Sequence, residues 1–314
     1  MVDDGWPVDG IARRLRVITD NDYGGDPDGL VELAHQLLSP NVDLRAVIGS
    51  HLRTGWNPSP RVAVVAARAV VELSGRSDVP VVSGADRGLD DHDTPTASDA
   101  VDAIVIEAMR DDVGTPLFVT CGAGLTALAS AWLVEPRIAS RLTLVWIGGS
   151  EHDGHGDPPL GEGPLEYNLA IDPIAAQVVF NDSDIDIWQV PRNVYRTVVA
   201  SRAELLVHMR SSGPLGRHLF DALGSVAATA GRHGVHLGET YILGDSPLVL
   251  LTALQSSFHP DPSSSACVSM PCPRIRDSGA YEPAPNGRII RVYRTLDTRL
   301  LLADLYAKLA LHGG

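Results

Sequence analysis

Arg14-Leu15-Arg16-Val17-Ile18-Thr19-Asp20-Asn21-Asp22-Tyr23-Gly24-Gly25-Asp26-Pro27-Asp28 is the stretch on which the fold turns. Arg14 to Thr19 reads as a strand, and an acidic loop follows it directly. Leu30, Leu33, Ala34 and Leu37 then recur at helical spacing until Ser39-Pro40 stops the helix. Ligands of parallel sheets bind just beyond the carboxyl ends of the strands. Asp20, Asp22, Asp26 and Asp28 fall within nine residues at such an end. Carboxylates so crowded raise each other's pKa unless a cation neutralises them. Oxygen-only ligands suit a hard cation, Ca²⁺ or Mg²⁺. Gly24-Gly25 allows a turn sharp enough to bring non-adjacent acids together. A solvated acidic turn that caps the next helix is the plainer reading of the same residues.

Outward from this unit the alternation continues. Val42 to Ile48 reads as a strand ending at Gly49-Ser50-His51, Arg61 to Leu73 as a helix, and Val79 to Val82 as a short strand. Asp86 to Ala97 is an acidic, Pro-containing loop, and Asp99 to Arg110 a helix. Leu117 to Cys121 is a strand, Leu125 to Leu133 a helix, and Leu142 to Ile147 a buried strand ending in Gly148-Gly149. The later elements are less regular. They are helices over Asp172 to Phe180, Ala203 to His208, Leu215 to Ala230, Leu248 to Leu254 and Arg299 to Leu311, with strands at Ile185 to Val190 and Gly287 to Tyr293. Nearly all-apolar strands between helices predict an α/β fold, a mostly parallel open sheet flanked by helices with a Rossmann-like core. With no repeat, linker or low-complexity tract, residues 1–314 read as a single domain.

Composition narrows the function. The formal charge of −14 repels nucleic-acid polymers but not a neutral small molecule. No apolar run reaches the roughly 20 residues of a membrane span, and the polar Met1 to Leu15 has no signal-peptide core, so a cytoplasmic protein without membrane contact is expected. Cys121, Cys267 and Cys272 read as idle or buried thiols rather than a zinc site. Lys308 is the one lysine, read as an exposed position on the last helix, which argues against P-loop and pyridoxal phosphate chemistry.

Five separated segments resemble the inosine–uridine-preferring nucleoside hydrolase family. Thr19 to Asp28 is similar to its D-x-D-P-G-x-D-D signature, and Val119-Thr120-Cys121-Gly122-Ala123-Gly124-Leu125-Thr126-Ala127-Leu128-Ala129 to its turn ending G-x-L-T-N-I-A. Val145-Trp146-Ile147-Gly148-Gly149 is similar to V-x-M-G-G, Glu166-Tyr167-Asn168-Leu169-Ala170-Ile171-Asp172-Pro173-Ile174-Ala175-Ala176 to E-F-N-x-x-x-D-P-x-A-A, and Leu243 to Leu248 to its H-D-x-x-x segment. Their order over roughly residues 14 to 255 carries the resemblance. A strand followed by Asp20-x-Asp22 also resembles the nucleophile motif of haloacid dehalogenase phosphatases. Those need a threonine or valine after the second Asp and a downstream lysine, whereas Tyr23 and Gly24 follow here.

The nucleoside hydrolase resemblance implies a Ca²⁺ cofactor at the bottom of a pocket. Asp22 would be a ligand and the general base toward water, and Asp245 the distant carboxylate. Asp26 or Asp28 would complete the set together with the carbonyl of Cys121 or Gly122. Glu166 and Asn168 would bind ribose hydroxyls, with Asp26, Ser50 and His51 as further substrate contacts. It implies hydrolysis of a nucleoside to free base and ribose in purine or pyrimidine salvage, by a homodimer or homotetramer. N-ribosyl cleavage passes through an oxocarbenium-like state, so it needs an activated water, a tolerated positive charge on the sugar, and help for the departing base. A Ca²⁺-dependent sugar- or nucleoside-binding protein with little turnover is the alternative.

The chain departs from the family at named places. Pro27 is inserted between Asp26 and Asp28, Gly29 follows where a second adjacent Asp might sit, Ser50 replaces an asparagine, and Gly244 stands where some members carry a histidine that helps the base leave. His51, His236 and Tyr241 are the candidate proton donors. From the residues alone, Glu166 and Asn168 also fit a turn before a helix. Asp172 fits an N-cap with Pro173 at the first helical position. His51, His92, His152, His155, His233 and His236 fit solvated loop positions, and Glu239 and Tyr241 lie close enough to Asp245 to line a pocket. Trp56 and Trp146 fit packing.

Overall fold

Val17 and Ile18 are neighbours in one strand, both fully buried, and each belongs to a different hydrophobic cluster. A strand covered on both faces is apolar along its whole length, which is why these segments do not alternate with polar residues. The computed structural model describes residues 12–53, 59–159, 165–255 and 264–314. Its strands are β1 (Leu15–Asn21), β2 (Val42–Gly49), β3 (Val81–Ser83), β4 (Leu117–Cys121), β5 (Leu142–Ile147), β6 (Asp186–Val190), β7 (Val199–Ser201), β8 (Thr240–Ile242), β9 (Ala266–Pro271), β10 (Arg274–Ile275), β11 (Tyr281–Glu282) and β12 (Ile289–Thr295).

Eight of them form one sheet in the order β3-β2-β1-β4-β5-β6-β12-β9. Every pairing in it is parallel except β12 with β9. From β1 the chain winds outward through β2 and β3, then returns to place β4 on the other side. That reversal opens a crevice at the carboxyl ends of β1 and β4, where ligands of such sheets bind. The α/β, mostly parallel reading is borne out.

The helices are α1 (Asp28–Leu37), α2 (Pro60–Leu73), α3 (Asp99–Ala108), α4 (Thr126–Val134), α5 (Tyr167–Ile171), α6 (Pro173–Gln177), α7 (Arg192–Tyr195), α8 (Arg202–Glu204), α9 (Gly213–Arg232), α10 (Pro247–Leu250) and α11 (Thr298–Gly313). Residues of α1, α2, α9, α10 and α11 pack with Val17, Val145 and Ile147 on one face of the sheet. Those of α3, α4 and α6 pack with Ile18, Leu144 and Trp146 on the other. The packing role expected of Trp146 holds: it is fully buried and its indole N–H donates to the Ala123 carbonyl at 3.0 Å. Trp56 lies outside the described residues.

Several sequence expectations need correction. Asp20 lies inside β1 rather than past its end, because the strand continues pairing with β2 as far as Asn21 and Gly49. The helix expected over 172–180 is α6 followed by a wider π-helical turn, Val178–Asp182. The helix expected over 248–254 stops at Leu250. β9 was missed because its residues are only partly buried, as befits an edge strand. Lys308 is not an exposed position: its ammonium is half-buried against Asp304, one helical turn before it, and donates to Ser39. All ten residues of α1 are buried, including Glu32, His35 and Gln36, so this helix has no solvated face. Among the described residues no helix is long and apolar enough to cross a membrane.

Candidate active site

β1 ends at the acidic loop and β4 ends at Cys121-Gly122, so the sheet brings these two turns side by side. Asp22, Asp28 and Gly122 meet Asp245 here, and the backbone N–H of Asp245 donates to Asp28 Oδ2 at 3.2 Å. Asn21 ties the group together: its amide donates to Asp245 Oδ2 at 2.9 Å, while its Oδ1 accepts the backbone N–H of Asp22 at 2.8 Å. Gly122 permits the close approach. A Cβ there would stand 2.5 Å from the Asn21 amide nitrogen and 2.7 Å from Asp245 Oδ1, so no side chain fits.

The electrostatics follow from burial. Burial, then the charges of Asp245, Asp26 and Asp20, pushes the Asp22 carboxyl well above the carboxylate range. Burial and the charge of Asp245 do the same to Asp28, and burial moves Asp245 itself up to about 7. The hydrogen bonds that reach the Asp28 and Asp245 carboxylates come from Asn21 and from backbone N–H groups. An all-oxygen set held under mutual repulsion has the chemistry of a hard-cation site. It is not a finished shell, since among the described residues no three Asp, Glu, His or Cys side chains are already drawn together as one. The fit is therefore of donor type, charge and placement.

Above this floor lies a cavity of about 590 Å³. Asp26, Glu166, Asn168 and Tyr195 supply polar groups to its walls, and Leu52, Ile147, Val226 and Ile242 supply apolar ones. Asn168 donates from its amide to the Ile147 carbonyl at 2.7 Å. Glu166 is fully buried, and its carboxylate accepts from Gly149 N at 2.8 Å, Leu169 N at 2.9 Å and the Tyr195 hydroxyl at 2.8 Å. Glu166 thereby also caps α5, so the turn-residue reading and the pocket reading describe the same side chain. Asp172 caps α6 as expected, accepting from Ala175 N at 3.0 Å, with Pro173 at the first helical position.

The other sequence candidates fall elsewhere. Asp26 is exposed at the mouth, where it accepts from the Tyr241 hydroxyl at 2.7 Å. The inserted Pro27 thus separates two acids with different positions, Asp28 on the floor and Asp26 on the rim. Ser50 lies off the cavity, its hydroxyl spent on Asp20 at 2.5 Å. His51 is buried rather than solvated, its ring nitrogens engaged by the Leu52 carbonyl at 2.9 Å and the Thr126 hydroxyl at 3.2 Å. His152 is buried as well, stacked on Tyr281. His236 and Glu239 are exposed and do not line the cavity. The Cys121 thiol points away, toward the carbonyls of Ala123 and Gly124. None of the three cysteines is disulfide-bonded. Sequence reasoning missed Asn21, Tyr195 and the apolar walls, although Asn21 stood inside the quoted motif.

Comparison with known proteins gives the family and the fold. The family model described as inosine-uridine preferring nucleoside hydrolase matches residues 17–278. The inosine-uridine preferring nucleoside hydrolase of Crithidia fasciculata is 29% identical over 199 residues, 56% of this chain and 58% of that protein. Its Leishmania major counterpart is 31% identical over 199 residues, with the same 56% and 58% coverage. The similarity thus spans little more than half the length of each curated relative. Among solved structures, the plant nucleoside hydrolase PpNRh1 superposes with a TM-score of 0.71 at 20% identity, covering 95% of this chain and 99% of that one. The purine-preferring ribonucleoside hydrolase of Gardnerella vaginalis gives 0.71 at 19%, with the same 95% and 99% coverage. At these identities the two structures speak for the fold alone. With a family model covering 17–278 and a cavity built on the same segments, the chain belongs to the inosine-uridine preferring nucleoside hydrolase family.

Proposed function

We propose that the protein is a Ca²⁺-dependent nucleoside N-ribohydrolase that releases a free base and ribose from a ribonucleoside. The observation that carries this reading is the buried set Asp22, Asp28 and Asp245 at the floor of a cavity whose wall presents Glu166 and Asn168. Asp22, Asp28, Asp245 and the backbone at Gly122 would hold the cation. When bound, Ca²⁺ neutralises these carboxylates, orients water and the ribose diol, and eases loss of the water's proton.

The chain's own residues divide the remaining work. Asp22 accepts the proton from water, a role typically worth about 10²–10⁴-fold. Asn168, oriented by its bond to the Ile147 carbonyl, turns its amide oxygen to a sugar hydroxyl. Glu166 accepts from another. The carboxylates favour the positive charge that develops on the sugar. The apolar walls, Leu52, Val226 and Ile242, receive the base and keep water from it. Gly244 has no proton to give, His51 is committed elsewhere, His236 does not line the cavity and Tyr241 donates to Asp26, so none of the donors expected from the sequence serves the base, which favours its departure with little protonation.

Cytoplasmic residence, association into a dimer or tetramer and a place in nucleoside salvage accompany this reading. The direct test is product analysis. The full chain at saturating Ca²⁺ is incubated with mixed nucleosides and with p-nitrophenyl riboside. Free base and ribose are expected, with the activated riboside cleaved far faster than inosine or uridine. Binding of nucleosides without release of base would overturn the hydrolase reading in favour of a binding protein.

A further inference from the structure

Tyr195 closes α7, the short helix that follows β6, and no motif in the sequence marks it. Its ring lies over Gly244. A Cβ built on Gly244 would stand 3.2 Å from Tyr195 Cδ2 and 3.2 Å from Asp28 Oδ2. A methyl group at 244 would therefore press on both the ring and the Asp28 carboxylate, and one of them would have to give by a few tenths of an ångström. From the same ring the phenolic hydroxyl reaches Glu166 Oε1 at 2.8 Å.

α7 is firmly held. Arg192 pairs with Glu151 through two contacts of 2.8 and 2.7 Å, and both side chains are buried. The backbone N–H of Arg192 donates to the Gly149 carbonyl at 3.1 Å, and the N–H of Gly149 in turn donates to Glu166 at 2.8 Å. Tyr195 and Glu166 are therefore fixed from one turn, Gly148 to Glu151. A carboxylate has about four lone-pair sites. Three of those on Glu166 are taken by Tyr195, Gly149 and Leu169, and the remaining one is on the oxygen that Tyr195 holds.

We infer that Tyr195 is a positioning residue: it locks Glu166 with a single acceptor site open to a sugar hydroxyl, and its ring crowds position 244, so that a side chain there would have to displace it. Burial and the neighbouring Glu166 push the phenol far above its usual range, so it keeps its proton and donates throughout. The identity of the ligand rests on the hydrolase reading, whereas the coupling of Tyr195, Glu166 and Gly244 does not.

The experiment uses the full chain with Ca²⁺, an iminoribitol as sugar probe followed by calorimetry, and p-nitrophenyl riboside as substrate. Tyr195→Phe keeps the ring and removes only the donor. Losing a hydrogen bond to a charged group should weaken probe binding and lower kcat/KM by about tenfold or more, through a raised KM together with a lowered kcat, as for any contact to a ribose hydroxyl. Gly244→Ala, whose methyl would meet both the Tyr195 ring and Asp28 Oδ2 at 3.2 Å, should weaken the probe in the parent chain and do so by a smaller factor once Tyr195→Ala has removed one of the two contacts. Parent-like probe affinity in Tyr195→Phe with only a lowered Tm, or additive effects of Tyr195→Ala and Gly244→Ala, would overturn the inference. A fall in kcat at constant KM, steepest for poor leaving groups, would make Tyr195 a proton donor and overturn it too. If the parent chain binds the probe but cleaves no riboside, the hydrolase reading fails and the probe affinities alone decide on Tyr195. If it neither binds nor cleaves, both are overturned.

Discussion

The amide of Asn21, the last residue of β1, donates to Asp245 Oδ2 at 2.9 Å across a separation of 224 residues. Its other amide atom accepts the Asp22 backbone N–H at 2.8 Å, so one side chain sets the spacing of two carboxylates. Groups that orient metal ligands from behind typically contribute about 10–100-fold in affinity. Asn21→Ala should therefore weaken Ca²⁺ binding by about that factor while the fold persists. Calcium titration by calorimetry, with circular dichroism as a control, measures both. Unchanged affinity would show that Asn21 only packs.

Asp22→Asn keeps the shape of the floor and removes a charge and a base. Hydrolysis should fall by at least about 100-fold. Rates are compared at saturating Ca²⁺ so that weaker metal binding does not imitate the loss. A variant retaining more than about a tenth of the parent rate would exclude Asp22 as the general base.

Asn168→Ala should raise KM and lower kcat together, because contacts to ribose hydroxyls tighten as the sugar flattens in the transition state. The amide also donates to the Ile147 carbonyl at 2.7 Å. A loss of thermal stability with kinetics intact would assign Asn168 to that bond alone.

Glu107 offers a pH test away from the site. Burial raises its carboxyl, but the bonds from Arg16 at 2.6 Å and Arg45 at 3.1 Å outweigh it, so the folded value lies below the ordinary 4.5. A depressed carboxylate stabilises the fold above the unfolded value, and that contribution disappears as pH falls from about 4.5 through the lower folded value. Removing one partner of a buried pair costs about 3–5 kcal/mol. Glu107→Gln should cost about that much at pH 7 and flatten the acid limb of the stability curve. Urea unfolding at pH 7 and below pH 4 reads it, and an equal loss at both pH values would refute the assignment.

The strands that pack on both faces were legible because burial leaves them little choice but apolar residues. The acidic loop was legible because its charges crowd where a parallel sheet binds ligands. Asn21 gave no such signal, since its role depends on Asp245 arriving from the far end of the chain. Tyr195 was equally silent: one tyrosine in a four-residue helix has neither periodicity nor charge pattern. The spacing of Leu30, Leu33, Ala34 and Leu37 marked one face of α1, but Glu32, His35 and Gln36 are buried too, because other helices cover it. Ser50 and His51 did follow a strand end, but their polar atoms are used within the protein by Asp20, Leu52 and Thr126.

The two rims of the sheet carry one more consequence. β3 offers three residues of backbone, and β9 runs antiparallel and ends in Pro271, which has no N–H to give. Natural sheets blunt their open sides with short strands and prolines to deter runaway stacking of chains. Molecules of this protein that meet in concentrated solution therefore find at the β3 rim only three residues on which to add strand to strand, and at the β9 rim a strand that Pro271 closes at one end.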